Sequence, residues 1–311
     1  MRIAFVCPGQ GSQYVGMGRQ LAGQDPEAAQ LIQEADEVLG FPLSRLMMEG
    51  PEEELRRTVN AQPALVAATV AAARLLMRKI QPSYVAGHSL GEYSALVVAG
   101  ALEFHEAIRL VRQRAQAMEG AVPDGGGGMA AVLGLDAETV EETVASFRAV
   151  GVVEVANYNC PGQVVLSGEN EALRQLGEEC LRRGATKVVR LAVSGPFHSA
   201  LMRPAAEALE RALGEVTVRN AEIPVIANYT AAVETEAGQI RENLIRQLTG
   251  PVRWEESVRH LIELGVDTFV EVGPGRVLGG LIRRIDRGVT VLQAEEAEGC
   301  QKVLDFLGGG G

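Results

Sequence analysis

Ser89 stands in Gly87-His88-Ser89-Leu90-Gly91, directly after the short apolar run Tyr84-Val85-Ala86, and Leu90 to Ala99 continues as a stretch rich in small apolar residues. This spacing matches the strand-turn-helix pattern that lifts a serine hydroxyl clear of a parallel sheet. Glycines two positions to either side allow the sharp turn without Cβ clashes. Ser89 is therefore a candidate nucleophile. The same turn would aim the Leu90 main-chain amide, unpaired at a helix N-terminus, toward an anion forming beside Ser89. Glycine accounts for 36 of the 311 residues, so a chance G-x-S-x-G stays open and the other residues have to decide.

A serine nucleophile needs a base, and histidine is the usual one. The chain has four. His88 adjoins Ser89 inside the turn and would project away from its hydroxyl, packing or hydrogen-bonding locally. His105 and His260 fall in amphipathic helical stretches, where solvated histidines are common. His198, in Ser194-Gly195-Pro196-Phe197-His198-Ser199, lies on a loop just before a helix, the kind of position where catalytic side chains concentrate. It is the candidate base by elimination. The chain order serine, acid, histidine would place a third partner upstream of His198, yet no aspartate or glutamate stands out. A backbone carbonyl is the alternative support for the ring.

Two further features bear on binding. From Phe104 to Met118, apolar Phe104, Ala107, Ile108, Val111, Ala115 and Met118 recur with helical period, and Arg109, Arg112, Gln113 and Gln116 fall opposite. Arg114 breaks the pattern by falling on the apolar face, where an unpaired guanidinium costs several kcal/mol. It is either half of a structural ion pair or a carboxylate clamp in a cleft; taken alone, the ion pair is the preferred reading. The first apolar run, Arg2 to Cys7, ends in Pro8-Gly9-Gln10-Gly11-Ser12-Gln13. Tyr14 stands where G-x-G-x-x-G needs its third glycine and no G-K-[ST] follows, which sets nucleotide binding aside. What remains is a tight loop at the carboxyl end of a strand, carrying Gln10 and Gln13, where open α/β sheets place ligands.

The elements that must position these residues follow from length, patterning and composition. A chain with 47% hydrophobic and 22% charged residues can bury a full core. A net charge of −11 argues against a nucleic-acid partner. The apolar start is too short for a signal peptide, and the Ala64 to Met77 run is too short and alanine-rich for a membrane span. A cytoplasmic protein with no membrane association is expected. Cys7, Cys160, Cys180 and Cys300 lack metal-ligand or disulfide spacing, so free thiols and no metal are expected.

Strands are predicted at 2–7 and 84–87. Helices are predicted at 26–39, 42–48 and 51–58, each opening on a proline, and at 63–80, opening on Pro63 and lying beneath the sheet. Pro123-Asp124-Gly125-Gly126-Gly127-Gly128 reads as a linker. Beyond it the rhythm changes: strand 129–133, helix 137–149, strands 152–157 and 163–167, helix 169–183 and strand 186–193. That βαββαβ order is the split-βαβ arrangement. The final third supplies strands at 223–227, 267–272 and 289–292, and helices at 199–213, 242–247, 254–264 and 277–285. Gly308 to Gly311 reads as a frayed tail. The expected fold is thus α/β: an α/β-hydrolase-like large domain with a mainly parallel sheet (1–127 and 195–311), and a ferredoxin-like small domain inserted at 128–194.

Six segments together resemble one family. They are Gly9-Gln10-Gly11-Ser12-Gln13, Gly87-His88-Ser89-Leu90-Gly91-Glu92, Gln113-Arg114-Ala115-Gln116, Asn159-Cys160-Pro161-Gly162-Gln163, Gly195-Pro196-Phe197-His198 and Glu271-Val272-Gly273-Pro274-Gly275. In order and spacing the chain resembles, over essentially its whole length, the malonyl-CoA:acyl-carrier-protein transacylases. The resemblance implies an acylated Ser89, His198 as general base, and the main-chain amides of Gln10 and Leu90 as oxyanion hole. It implies that Arg114 grips the malonyl carboxylate and that the main-chain carbonyl of Gln247 steadies His198 in place of an acid. Phe197 looks like the residue that fills the space of an α-methyl group, so malonyl is expected over methylmalonyl.

The reaction so implied is ping-pong transfer of malonyl from malonyl-CoA, through a malonyl-serine, to the phosphopantetheine thiol of acyl carrier protein. No cofactor is needed, since the phosphopantetheine belongs to the partner, and a monomer is expected. Acyl carriers of this pathway are acidic, so local cations must receive them. Arg182, Arg183 and Lys187, or Arg276, Arg283 and Arg284, are the candidates, with plain solvated charge as the simpler reading. Three other functions stay open from residues alone: a free-standing acyltransferase of a polyketide synthase, a serine hydrolase or thioesterase, and a non-catalytic docking subunit.

Overall fold

The computed structural model describes residues 1–123, 125–147 and 149–308. Asp124 of the expected linker and the tail residues 309–311 lie outside the described residues. The described residues form ten strands: β1 (Ile3–Cys7), β2 (Tyr84–Gly87), β3 (Gly127–Leu133), β4 (Val153–Cys160), β5 (Gln163–Glu169), β6 (Lys187–Arg190), β7 (Val225–Ile226), β8 (Val233–Glu234), β9 (Thr268–Val272) and β10 (Thr290–Ala294). They form two sheets. The larger, ordered β10-β9-β1-β2-β7-β8, is parallel except for the edge pair β7–β8. The smaller, ordered β4-β5-β3-β6, is antiparallel throughout.

The run Ile3-Ala4-Phe5-Val6-Cys7 becomes a central strand because both of its faces can be buried, as parallel sheets require. Successive side chains point to opposite faces. Phe5 and Cys7 accordingly join one core, and Ala4 and Val6 join the other. The first core is closed by α1 (Arg19–Gln24), α2 (Pro26–Leu39), α3 (Leu43–Glu49), α4 (Glu52–Arg56), α5 (Thr58–Met77), α6 (Gly91–Val98), α7 (Phe104–Gly120), α10 (Arg203–Gly214), α11 (Ala237–Thr249) and α14 (Ala297–Gly308). The second is closed by α12 (Trp254–Glu263) and α13 (Val277–Ile285). Helices α8 (Ala137–Ser146) and α9 (Asn170–Arg182) cover the small sheet and share a third core with it. Between Gly127 and Arg190 the elements run β3-α8-β4-β5-α9-β6. Strand β4 meets the segment between α11 and α12 at the parallel bridge of Asn157 with Val252.

Several boundaries differ from the sequence reading. The helix expected to open on Pro63 opens at Thr58, with Pro63 inside it. Proline has no amide to give the Val59 carbonyl four residues back, and the Arg112 guanidinium bonds that carbonyl instead. Pro42 and Pro51 cap α3 and α4 from outside, whereas Pro26 does begin its helix, with Asp25 accepting from the Ala28 amide at 2.9 Å. By length and composition α5 could cross a membrane, being longer than the apolar run that suggested otherwise; nearly all of it is buried inside the fold. The short α1 and β8, and α14, lacked a clear signal. The last strand of the small sheet stops at Arg190, which releases Leu191 and Val193 to line a cavity. All four cysteines are buried and free.

Candidate active site

The turn between β2 and α6 places Ser89 at φ 51, the left-handed region that side chains seldom adopt. Its glycines are required by contact. A Cβ on Gly87 would strike the backbone of Gly91, and one on Gly91 would strike the Cys7 carbonyl. The Asn228 side chain braces the strained turn: Oδ1 accepts from the Ser89 amide at 2.6 Å and Nδ2 donates to the Gly87 carbonyl at 2.6 Å.

His198 also sits in the left-handed region, at φ 60, and is buried. Its Nε2 lies 2.8 Å from Ser89 Oγ and its Nδ1 lies 2.7 Å from the Gln247 main-chain oxygen. A carbonyl can only accept, so Nδ1 carries the proton and Nε2 is left to accept from the serine hydroxyl. Burial, then the charge of Arg114, pushes the imidazole down to about 3. The resting ring is neutral, which is the form a general base requires.

Arg114 is fully buried on α7. Nη1 donates to Gln62 Oε1 at 2.9 Å, Nη2 to Gln247 Oε1 at 2.9 Å and to Ser89 Oγ at 3.2 Å, and the guanidinium lies 5.3 Å from the centroid of the Tyr93 ring. Burial pushes its pKa down, but an arginine keeps its charge. Among the described residues it forms no ion pair, and its Nε has no partner. The structural ion pair preferred from the sequence is therefore replaced by amide dipoles. They hold the cation without neutralising it, so it can still attract an anion.

Gln10 projects from the loop after β1 and donates from Nε2 to Thr58 Oγ1 at 3.0 Å. Gln13 is used up inside that loop, accepting from the Gly11 amide at 2.8 Å. Among the described residues, the main-chain amides of Gln10 and Leu90 donate to no other group. Both residues line one cavity of about 300 Å³ together with Ser89, Arg114, Phe197 and His198. Its remaining wall is mostly apolar and is shared by the small sheet and the large domain, with Met129, Ala131 and Val165 from the former and Leu278 and Leu281 of α13 from the latter.

The other histidines are accounted for. His88 Nε2 is 2.9 Å from Asn159 Oδ1, and the ring packs on Trp254 at 5.6 Å between centroids. His105 is exposed on α7, and His260 is half-buried on α12. Several proposed docking cations are already engaged. Arg182 and Arg183 pair with Glu179, Arg283 donates to the Val291 carbonyl and Arg284 donates to Gln163 and to the Pro161 carbonyl. Arg276 and Lys187 are exposed. Among the described residues no group of three or more His, Cys, Asp or Glu could hold a metal ion.

Sequence reasoning missed Asn228, Gln62 and the side chain of Gln247. Each is an isolated amide residue whose partners lie far along the chain, so no local pattern announces it. Glu92 is quoted in the serine motif, but nothing near it in the chain marks it as a buried acceptor.

This arrangement has known counterparts. The acyl transferase domain family matches residues 4–299. A malonyl CoA-acyl carrier protein transacylase of Bacillus subtilis is 47% identical over 98% of this chain and 97% of its own. Among solved structures, the acyl-carrier-protein S-malonyltransferase of Bartonella henselae superposes with a TM-score of 0.96 at 42% identity, covering 99% of this chain and 100% of that one. A malonyl-transacylase solved in complex with a holo type II polyketide acyl-carrier protein superposes with a TM-score of 0.96 at 44% identity, covering 98% and 100%.

Proposed function

The chain belongs to the family of malonyl-CoA–acyl carrier protein transacylases, and from that membership and the geometry of the cavity we infer how it moves malonyl from coenzyme A to acyl carrier protein. Ser89 Oγ attacks the thioester carbonyl of malonyl-CoA while His198 Nε2 takes the hydroxyl proton. The tetrahedral oxyanion is met by the amides of Gln10 and Leu90. Its collapse breaks the C–S bond, coenzyme A leaves with the proton from His198, and malonyl-Ser89 remains. In the second half His198 takes the proton of the phosphopantetheine thiol, the thiolate attacks the ester carbonyl, and Ser89 recovers its proton. Coenzyme A departs before the carrier reacts, so the kinetics are ping-pong.

The observation that carries this reading is the cavity shared by the Ser89–His198 pair and a buried, unneutralised Arg114. A hydrolase of ordinary esters has no use for that cation, whereas a malonyl group brings the carboxylate that would complete it. Apolar walls would limit water at the acyl-serine. Phe197 would occupy the room of an α-methyl group. We keep the expected organisation, an α/β-hydrolase-like domain interrupted by a ferredoxin-like insertion at 128–194, because the insertion has its own hydrophobic core. A cytoplasmic monomer without cofactor remains part of the same reading.

Similarity to the polyketide transacylase complex supports a second reading, in which the carrier serves polyketide assembly. Transfer rates to the two carriers in competition distinguish them. The primary test is intact mass after incubation with malonyl-CoA alone. Wild type should gain one malonyl group and Ser89→Ala none; an unmodified wild type would sink the proposal.

A further inference from the structure

One buried carboxyl has no part in the chemistry above. Glu92, fully buried in the first turn of α6, uses a single oxygen, Oε2, to accept from the Asn228 main-chain amide at 2.8 Å and from Gln247 Nε2 at 3.0 Å. These donors lie 136 and 155 residues away in sequence, and both serve the site. The Asn228 side chain braces Ser89 and Gly87. Gln247 gives its main-chain oxygen to His198 and its side-chain oxygen to Arg114, and its Nε2 also donates to the Ser89 carbonyl at 3.1 Å.

We propose that Glu92 is a positioning residue for acyl transfer: one acceptor atom ties the serine turn, the end of β7 and α11 together, and it sets which way the Gln247 amide faces. A primary amide has one accepting and one donating end. With Nε2 held by Glu92 and the Ser89 carbonyl, Oε1 is the end that faces Arg114. Without the acceptor, Nε2 keeps only the Ser89 carbonyl, and the orientation is held less firmly against its flip, which would set an NH2 against the guanidinium and release the arginine from one of its two amide oxygens.

The other oxygen, Glu92 Oε1, is buried with no partner among the described residues, and so is Glu234 Oε1. Glu234 uses its Oε2 to accept from Asn243 Nδ2 at 2.6 Å. Burial, followed by the charge of Glu234, pushes the Glu92 carboxyl up from its usual range, and burial does the same to Glu234. The neutral form is thereby favoured, and glutamine matches a neutral carboxyl in shape while keeping an acceptor at the Oε2 position. Aspartate keeps the acid but withdraws the acceptor by one methylene.

The test compares E92Q and E92D by single-turnover acylation of Ser89 with malonyl-CoA and with acetyl-CoA, with folding followed by thermal melting. The inference rests on the roles proposed for Ser89, His198 and Arg114, so wild type and Ser89→Ala run alongside; a wild type without Ser89-dependent malonylation sinks those roles, and only a competent wild type tests Glu92. E92D should acylate about tenfold more slowly and lose about tenfold in malonyl-over-acetyl preference, while E92Q stays within about threefold of wild type on both. A folded E92D with wild-type rate and preference overturns the proposal, as does an E92Q impaired as far as E92D or further. If E92Q alone fails to fold, E92D decides. Loss of fold in E92D, with or without E92Q, also overturns it, because Glu92 would then serve folding rather than the site.

Discussion

Gln247 supports His198 with its main chain, the carbonyl oxygen lying 2.7 Å from Nδ1, so the proposed base has a partner that substitution of a side chain does not delete. The Gln247 side chain serves Arg114 instead. The two roles of one residue should therefore separate.

Gln247→Ala leaves the carbonyl under His198 and removes the acceptor on Arg114 together with the Nε2 donor to Glu92 and the Ser89 carbonyl. Acetyl transfer should fall by less than about threefold, while kcat/KM for malonyl-CoA should fall about tenfold or more, as expected for one lost hydrogen bond to a charged group. Steady-state kinetics on both thioesters check this; an equal loss on both would contradict the division.

Arg114→Ala removes the cation itself. Malonyl transfer should lose about 2–3 kcal/mol, or roughly 100-fold, from a buried charge-assisted pair. Acetyl transfer should be less affected, since acetyl brings no carboxylate to be stranded. The measurement is the ratio of kcat/KM for malonyl-CoA to that for acetyl-CoA, and an unchanged ratio would show that the arginine only supports the fold.

The pH profile carries a distinct sign. With His198 held down to about 3 in the folded protein, acylation should show no acid limb near the ordinary histidine value, down to the lowest pH at which circular dichroism still reports native protein. Stability follows by linkage. The unfolded histidine binds a proton that the folded one refuses, so the contribution is present above about 6.5, the ordinary histidine value, and is lost as pH falls toward the folded value. The raised carboxyls of Glu92 and Glu234 act oppositely. Their contribution is complete below the ordinary carboxyl range and is lost as pH rises through their folded values. Urea melts of wild type and E92Q between neutral and alkaline pH should show a shallower decline in the variant.

Gly91→Ala should not be tolerated. Its Cβ would meet the Cys7 carbonyl, and strand β1 has no room to retreat from between two buried cores. A melting temperature within a few degrees of wild type would show that the turn can relax, contrary to expectation.

The parts legible in the sequence were those whose signal is local. The Ser89 turn announces itself because its glycines lie two residues away on each side, and Arg114 because it breaks a helical period. The carbonyl of Gln247 was reached through family resemblance, since any residue carries a carbonyl and only the chain path brings this one to His198. Asn228 and Gln62 gave no signal for the same reason: their partners lie far away in sequence, 139 residues for Asn228 with Ser89 and 52 for Gln62 with Arg114. The start of α5 was misread because a proline is tolerated inside a helix when a distant side chain takes up the freed carbonyl, which is what Arg112 does for Val59.

The cavity has walls from the small sheet and from the large domain, and the two are joined by the Asn157–Val252 bridge and by Met129, Ala131, Ala156 and Val165, which pack into the main core. Its width is therefore set by how the small sheet seats on that shared core, while Ser89, His198 and Arg114 lie outside the small sheet. The wall facing the acyl group thus comes from a sheet that carries none of the candidate catalytic side chains, so the bulk of the cavity and its chemistry are set by different parts of the chain.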